Sequence, residues 1–359
     1  MMGDVRYGII GAGMMGTEHL WNLQALPGAT VTAAADPVEA QLEWIVAAAG
    51  DDGANIATFT DHRELLSSGL VDVVVVATPN FTHHDVMLDV FAHPDLHVLV
   101  EKPLCTTVED CLAVAEAARS HRGIVWVGLE YRYMPPVARL RRAVADGEVG
   151  RVHMVALREH RFPFLTKVGD WNRFNRNTGG TLVEKCCHFF DLMNVLAADT
   201  PVAVMASGGR AVNHLDESYG GEVPDIDDHA LVIVEYAGGA RASLDLCMFA
   251  EGSVNQEELS VVGDRGKAEA FLPSSEFRLG LRTGGHVGVA TEIVHDDRVA
   301  YEGFHHGSSY LEHMDLLEAV RSGGAPEVSV ADGVLSVAMG VAAHRSMAEG
   351  RKVAIDEVL

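Results

Sequence analysis

A lysine set between an acid and a proline, Glu101-Lys102-Pro103, and an acid four residues ahead of a histidine, Glu184 and His188, are the side chains here best suited to move a proton. An ammonium hydrogen-bonds an oxygen on which negative charge develops, an imidazole titrates near neutrality and can take a proton, and a lysine can do so only as its neutral amine. On a helix, a spacing of four puts Glu184 and His188 on one face, where the carboxylate can orient the imidazole and raise its basicity. Lys185 stands beside that acid; it either pairs with Glu184 and silences it or points away and is structural.

A second constellation is suited to holding an anion. Gly11-Ala12-Gly13-Met14-Met15-Gly16 follows the apolar run Val5–Ile10 and opens a stretch of helix formers over 14–26. Gly11 permits a tight turn, Gly13 lets a pyrophosphate approach the backbone, and Gly16 allows helix and strand to pack closely. Unpaired N–H groups at the helix start, around Met14 and Met15, attract phosphate. The next apolar run, Ala29–Ala35, ends in Asp36, about 20 residues past the glycines, where a carboxylate accepts hydrogen bonds from adenosine ribose hydroxyls. The cofactor this predicts is NAD, because a 2′-phosphate would meet the Asp36 charge and neighbouring Pro37 and Val38 supply no cation.

The elements that must position these groups follow from the apolar pattern. Strand-like runs at 71–77, 96–100 and 124–127 alternate with helical stretches at 86–91 and 108–119, the latter with Thr106 or Thr107 as N-cap. This βαβ order predicts an α/β fold with a doubly wound parallel (Rossmann) sheet over 1–126, with ligands at the carboxyl edge of its strands. Thr78-Pro79-Asn80 with His83 follows one such strand, and Glu101-Lys102-Pro103 follows another. In 127–359 consecutive strand candidates at 152–158, 203–209, 229–236, 240–248 and 258–262, with turns such as Gly238-Gly239, predict an α+β domain built on an antiparallel sheet. Helices at 309–322 and 331–349 close the chain, the second stopped by Gly350, and 213–228 reads as an exposed loop.

Composition bounds the partners. Hydrophobic residues make up 48% of the 359 and charged residues 22%, which places the chain among globular proteins of more than one domain. A net charge of −24 argues against nucleic acid or an anionic membrane surface as partner. With no uncharged apolar run long enough to span a bilayer and no basic-then-apolar leader, the expected location is the cytoplasm. The five cysteines form no CxxC pair and read as buried thiols, and His305-His306 lacks a third ligand, so no metal is expected.

Taken together, the Gly11–Gly16 turn, Asp36, Thr78-Pro79-Asn80 with His83, Glu101-Lys102-Pro103, Tyr131-Arg132 and the stretch from Gly179-Gly180 to His188 resemble the Gfo/Idh/MocA oxidoreductases, the group of glucose-fructose oxidoreductase and the inositol dehydrogenases. The resemblance spans essentially the whole chain. It implies a large, mainly antiparallel open sheet whose face builds a homodimer or homotetramer, and a substrate between the domains. It puts Gly11, Gly13, Met14, Met15, Gly16, Asp36, Thr78, Pro79, Asn80, His83, Glu101 and Lys102 at the cofactor. Tyr131, Arg161, Trp171, Asn172, Arg173, Glu184 and His188 fall at the substrate, with the Trp171 face under a sugar ring and the Asn and Arg donors on its oxygens. One departure stands out: the family places Asp where this chain has Glu184, and small residues where it has Lys185-Cys186-Cys187.

The activity so implied is NAD-dependent oxidation of a secondary alcohol on a sugar, a sugar derivative or an inositol, or the reverse ketone reduction. Lys102, Glu184 and His188 are its catalytic residues, with His188 as base, Lys102 on the reacting oxygen and Glu184 orienting the pair; exchange of the base role between His188 and Lys102 stays open. Two alternatives keep the fold. One is glycoside cleavage through transient oxidation and elimination. The other is a non-enzymatic dinucleotide-responsive regulator, against which the retention of all three residues weighs.

Overall fold

Four consecutive valines, Val73–Val76, are each fully buried, which a strand achieves only inside a parallel sheet covered on both faces. The computed structural model describes residues 3–359. Its first part runs β1 (Val5–Ile10), α1 (Met14–Ala25), β2 (Ala29–Ala35), α2 (Glu39–Ala48), β3 (Ala57–Phe59), α3 (His62–Ser67), β4 (Val73–Val76), α4 (His83–Phe91), β5 (His97–Glu101), α5 (Val108–Ala118) and β6 (Val125–Gly128). The strands form one parallel sheet in the order β3-β2-β1-β4-β5-β6. Strand order reverses between β1 and β4, whose ends Ile10 and Val76 are register partners; this is the switch point where such sheets bind ligands. Thr107 caps α5, its hydroxyl accepting the Asp110 N–H at 3.1 Å.

The chain continues through α6 (Pro135–Ala145), β7 (Val152–His160), α7 (Asn175–Thr178), α8 (Thr181–Glu184), α9 (Cys187–Ala197), β8 (Pro201–Gly209), β9 (His229–Tyr236), β10 (Arg241–Cys247), β11 (Glu257–Gly263), β12 (Gly266–Leu272), β13 (Glu276–Leu281) and β14 (Val289–Ile293). Two helices, α10 (Ser308–Ser322) and α11 (Val330–Glu349), and the short β15 (Val353–Ala354) complete it. The second sheet has the order β14-β13-β12-β11-β7-β10-β9-β8-β15 and is antiparallel except where β10 runs parallel to β7. Alternation puts Val155 and Leu157, Val232 and Val234, and Leu244 and Leu246 on one face, in a core shared with Leu140 of α6, Phe189 and Phe190 of α9 and Met339 of α11. The other face leaves Met154, Met205, Leu231 and Ile233 more than half exposed.

Two compact units result: residues through Glu130 with Asp297–Val334, and Tyr131–Asp296 with Leu335–Leu359. The segment carrying α10 thus belongs to the first unit, where Trp126 Nε1 donates to Glu312 at 3.1 Å and Arg321 to the Gly28 carbonyl at 3.1 Å. Nothing in the sequence periodicity marks that return. All five cysteines are free thiols, four of them buried. Among the described residues no helix is long and apolar enough to cross a membrane, and no group of three or more His, Cys, Asp or Glu is placed to hold a metal ion.

Candidate active site

The turn after β1 is shaped by contacts that exclude side chains. Gly11 has φ +96°, and a Cβ there would lie 2.6 Å from the Ala77 carbonyl. A Cβ on Gly16 would fall 2.0 Å from the Gly11 oxygen, so the first turn of α1 can lie this close only with glycine. Gly13 is different: nothing lies within 4 Å of where its Cβ would be, and as N-cap of α1 it offers no capping side chain. Helix N–H groups facing open space are what a pyrophosphate requires. Asp36 closes the turn, its Oδ2 accepting from the Ala12 N–H and its Oδ1 from the Val38 N–H, both at 2.9 Å. Each oxygen keeps a lone pair for a ribose hydroxyl. This cradle fits NAD.

Beyond β4, Thr82 Oγ1 donates within the turn that starts at Thr78-Pro79, 2.8 Å from Thr78 Oγ1 and 2.7 Å from the Pro79 carbonyl. Asn80 is buried, and its amide nitrogen has no hydrogen-bond partner among the described residues, as expected of a group reserved for a ligand. His83 is fully buried between two loops, Nδ1 2.8 Å from the Pro103 carbonyl and Nε2 3.0 Å from that of Thr78. Burial pushes its pKa down despite both carbonyls, so the ring is neutral and donates to one of them. Its place is under the Lys102-Pro103 turn.

At the end of β5 the Glu101 carboxylate clasps that turn, Oε2 accepting the Lys102 N–H at 3.1 Å. Oε1 meets His19 Nε2 at 2.8 Å, and His19 Nδ1 meets His313 Nε2 at 2.8 Å. Burial alone would raise the Glu101 pKa, but the His19 hydrogen bond and the charges of His19, Lys102 and His305 prevail and bring it down to about 2. Buried Glu130 goes the other way: desolvation, reinforced by Glu101, raises it against the pull of His305 and Lys102. His305 lies 3.5 Å from Glu18 and 3.9 Å from Glu130. Lys102 therefore stands at a strand end lined with buried carboxylates.

In the second unit, Gly179 and Gly180 take left-side backbone angles, φ +78° and +87°. A Cβ on Gly180 would sit 2.4 Å from His344 Nε2, the atom that accepts the Leu182 N–H at 3.1 Å and so caps α8. Burial brings the His344 pKa to about 4, which keeps that acceptor unprotonated. The continuous helix expected through Glu184 and His188 is interrupted: α8 ends at Glu184, α9 begins at Cys187, and the Cys186 N–H reaches back five residues to the Thr181 carbonyl at 3.3 Å. Such π-type widening re-aims side chains and recurs at functional sites. Glu184 and His188, 5% and 2% exposed, flank it. The His188 ring stacks on Tyr131 with centroids 4.0 Å apart. Lys185 meets Glu159 at 2.9 Å and donates to Tyr131 Oη at 2.6 Å. Arg132, next to Tyr131, is bidentate to buried Asp191.

The loop over 161–176 is built largely on itself. Asn172 Nδ2 donates to the Leu165 carbonyl at 2.9 Å, and Arg173 Nε to Glu217 at 3.2 Å; both residues are buried. Both side chains brace the loop in which they stand. Trp171 is half-buried, its carbonyl accepting from Asn177, and Arg161 lies 3.2 Å from Glu159. Sequence reasoning missed His19, His313, Glu130, Glu159, Glu257 and His344. Glu159 and Glu257 carried a legible signal, since they occupy inward positions in the alternations Val155, Leu157, Glu159 and Glu257, Leu259, Val261; the others rest on tertiary contacts.

Comparison with known proteins supplies independent findings. A family profile described as oxidoreductase family, NAD-binding Rossmann fold, matches residues 5–129, and its companion, the C-terminal alpha/beta domain, matches 141–355. The scyllo-inositol 2-dehydrogenase (NAD(+)) of Bacillus subtilis (strain 168) is 26% identical over 362 residues, covering 98% of this chain and 97% of that protein. The myo-inositol 2-dehydrogenase of Thermotoga maritima is 27% identical over 365 residues, covering 99% and 100%. A solved levoglucosan dehydrogenase in complex with NADH and levoglucosan shares the fold at a TM-score of 0.85 and 21% identity, over 98% of this chain and 99% of that one.

Proposed function

The chain belongs to the Gfo/Idh/MocA oxidoreductase family, and from that membership we propose that it oxidises a secondary alcohol of a sugar or polyol with NAD, or runs the matching ketone reduction. The observation that carries this reading is Lys102, clasped by Glu101 at the carboxyl edge of the same sheet whose glycine turn and Asp36 fit the dinucleotide. Named relatives that act on inositols, matched nearly end to end, support the polyol class.

NAD, when bound, supplies the hydride acceptor. His188 is the base for the hydroxyl proton, and Lys102 is a hydrogen-bond donor for negative charge growing on oxygen. Glu184 orients the imidazole across the widened turn between α8 and α9. The apolar open face of the second sheet, with Met205 opposite Ile233 in register, is the surface through which copies of the chain associate as a homodimer or homotetramer. The test is a panel of inositols, monosaccharides and glycosides incubated with NAD, followed for NADH, ketone and released aglycone.

A further inference from the structure

Two carboxylates face each other on the core side of the nine-stranded sheet. Glu159 of β7 and Glu257 of β11 are register partners, and each takes an inward position in its strand. Like charges directly opposite in an antiparallel pair repel, and at 0% and 1% exposure neither has water to relieve it. Lys185 and Arg161 supply the cations, 2.9 Å and 3.2 Å from Glu159 Oε1. Gln256 donates to Glu257 at 2.6 Å, and burial together with Glu159 raises the Glu257 pKa.

Lys185 has a second engagement. A lysine stem ordinarily carries its ammonium to solvent; this one is 5% exposed. Its Nζ donates to Tyr131 Oη at 2.6 Å and lies 4.8 Å from the ring centroid. The same ring bears the His188 imidazole, with the planes within 9° of parallel. A buried chain therefore runs from Glu159 through Lys185 and Tyr131 to His188.

We propose that Lys185 is a positioning residue for His188: anchored by Glu159, it fixes the ring against which the imidazole lies, and its charge sets how readily that imidazole accepts a proton. The proposal rests on the reading of His188 as the base. An imidazolium on a phenol face gains cation–π attraction, and an ammonium already sharing the ring competes for it and repels the new charge. Lys185 thus keeps His188 neutral to lower pH. The other charges on elements around His188 are Glu184 on α8, Asp191 on its own helix with Arg132, Glu159 on β7 with Arg161 just past that strand's end, and Glu257 on β11. Packed against α9, α6 buries Val137 and Leu140 and also brings Arg141, which donates to the Arg132 carbonyl at 3.3 Å, while β10 buries Ala242, Leu244 and Leu246 with Asp245 half-buried.

The experiment needs no substrate. Protein labelled with 13C at histidine Cε1 is titrated by NMR, with the His188 resonance assigned by its loss in His188→Asn. Lys185→Met is expected to raise the His188 midpoint by about one pH unit, while Lys185→Arg leaves it near wild type. In Lys185→Met/Glu159→Gln, which removes both charges and stands in should the single variant not fold, the midpoint is expected between those of wild type and Lys185→Met. A wild-type midpoint in the double variant would reduce Lys185 to a counterion for Glu159 and overturn the proposal. An acid limb of turnover that survives in His188→Asn would instead refute His188 as the base, a separate failure that the titration does not share.

Discussion

The imidazole of His188 lies flat on the phenol ring of Tyr131, 4.0 Å between centroids and 9° from parallel. That stack joins the first turn of α9 to the first residue of the second unit, and it commits Tyr131, 3% exposed, to the histidine. Tyr131, expected at a substrate, packs against the proposed base.

If Glu184 orients that base, the two residues act as one unit. Glu184→Gln and His188→Asn should each lower kcat/KM strongly, and the double variant should fall little further than the worse single one. A double-mutant cycle on kcat/KM measures the coupling; strict additivity would disconnect the pair.

Cofactor choice turns on Asp36. Because the Ala12 and Val38 N–H groups hold its carboxylate at 2.9 Å each, it cannot swing away from a 2′-phosphate. NAD should be preferred over NADP by about 2 kcal/mol, the order of a charged hydrogen bond, or roughly thirtyfold in kcat/KM. Asp36→Ser should narrow the gap, and a preference for NADP in the unmodified protein would refute this reading.

Much of the first unit was legible because a doubly wound sheet writes itself into sequence as buried β-branched runs followed by helices; Val5–Ile10 and Ala29–Ala35 have the expected bounds. The glycine turn and Asp36 were legible for the same local reason. β14 was not, since all five of its residues are exposed and no alternation marks them, and β12 presents small Ala268 and Ala270 to the core. At the candidate site, spacing singled out Glu184 and His188 but gave no sign of the widened turn between them. His19 and His313 are 294 residues apart, and no local rule joins them.

For Lys102, replacement by Met should slow hydride transfer by about 2–4 kcal/mol, the usual size of one positioned donor at a developing charge. NAD affinity should change little, because the cradle residues are untouched. Single-turnover kinetics and cofactor titration on the same variant separate the two; unaltered hydride transfer would leave Lys102 a strand-end residue.

Stability should fall on acidification in two windows. Burial holds His83, His313 and His344 below the usual 6.5, His344 at about 4, so the unfolded chain binds these protons first. Their contribution is complete above pH 6.5 and is lost as pH falls toward the folded values, with His344 accounting for about 2–3 kcal/mol. Glu101, at about 2 in the fold against 4.5, contributes above pH 4.5 and loses that contribution only below it. Urea midpoints between pH 7 and 4.5 should drop less steeply in His344→Gln, which keeps an acceptor for the Leu182 N–H; an unchanged slope would place the acid sensitivity elsewhere.

The most direct measurement of the central claim is product stoichiometry with NAD across the panel of inositols, monosaccharides and glycosides. The account predicts that at least one inositol or sugar yields NADH and ketone in equal amounts, and that both form correspondingly more slowly in Lys102→Met. Aglycone released without net NADH, or no turnover of any polyol or sugar by protein that binds NAD, would contradict it.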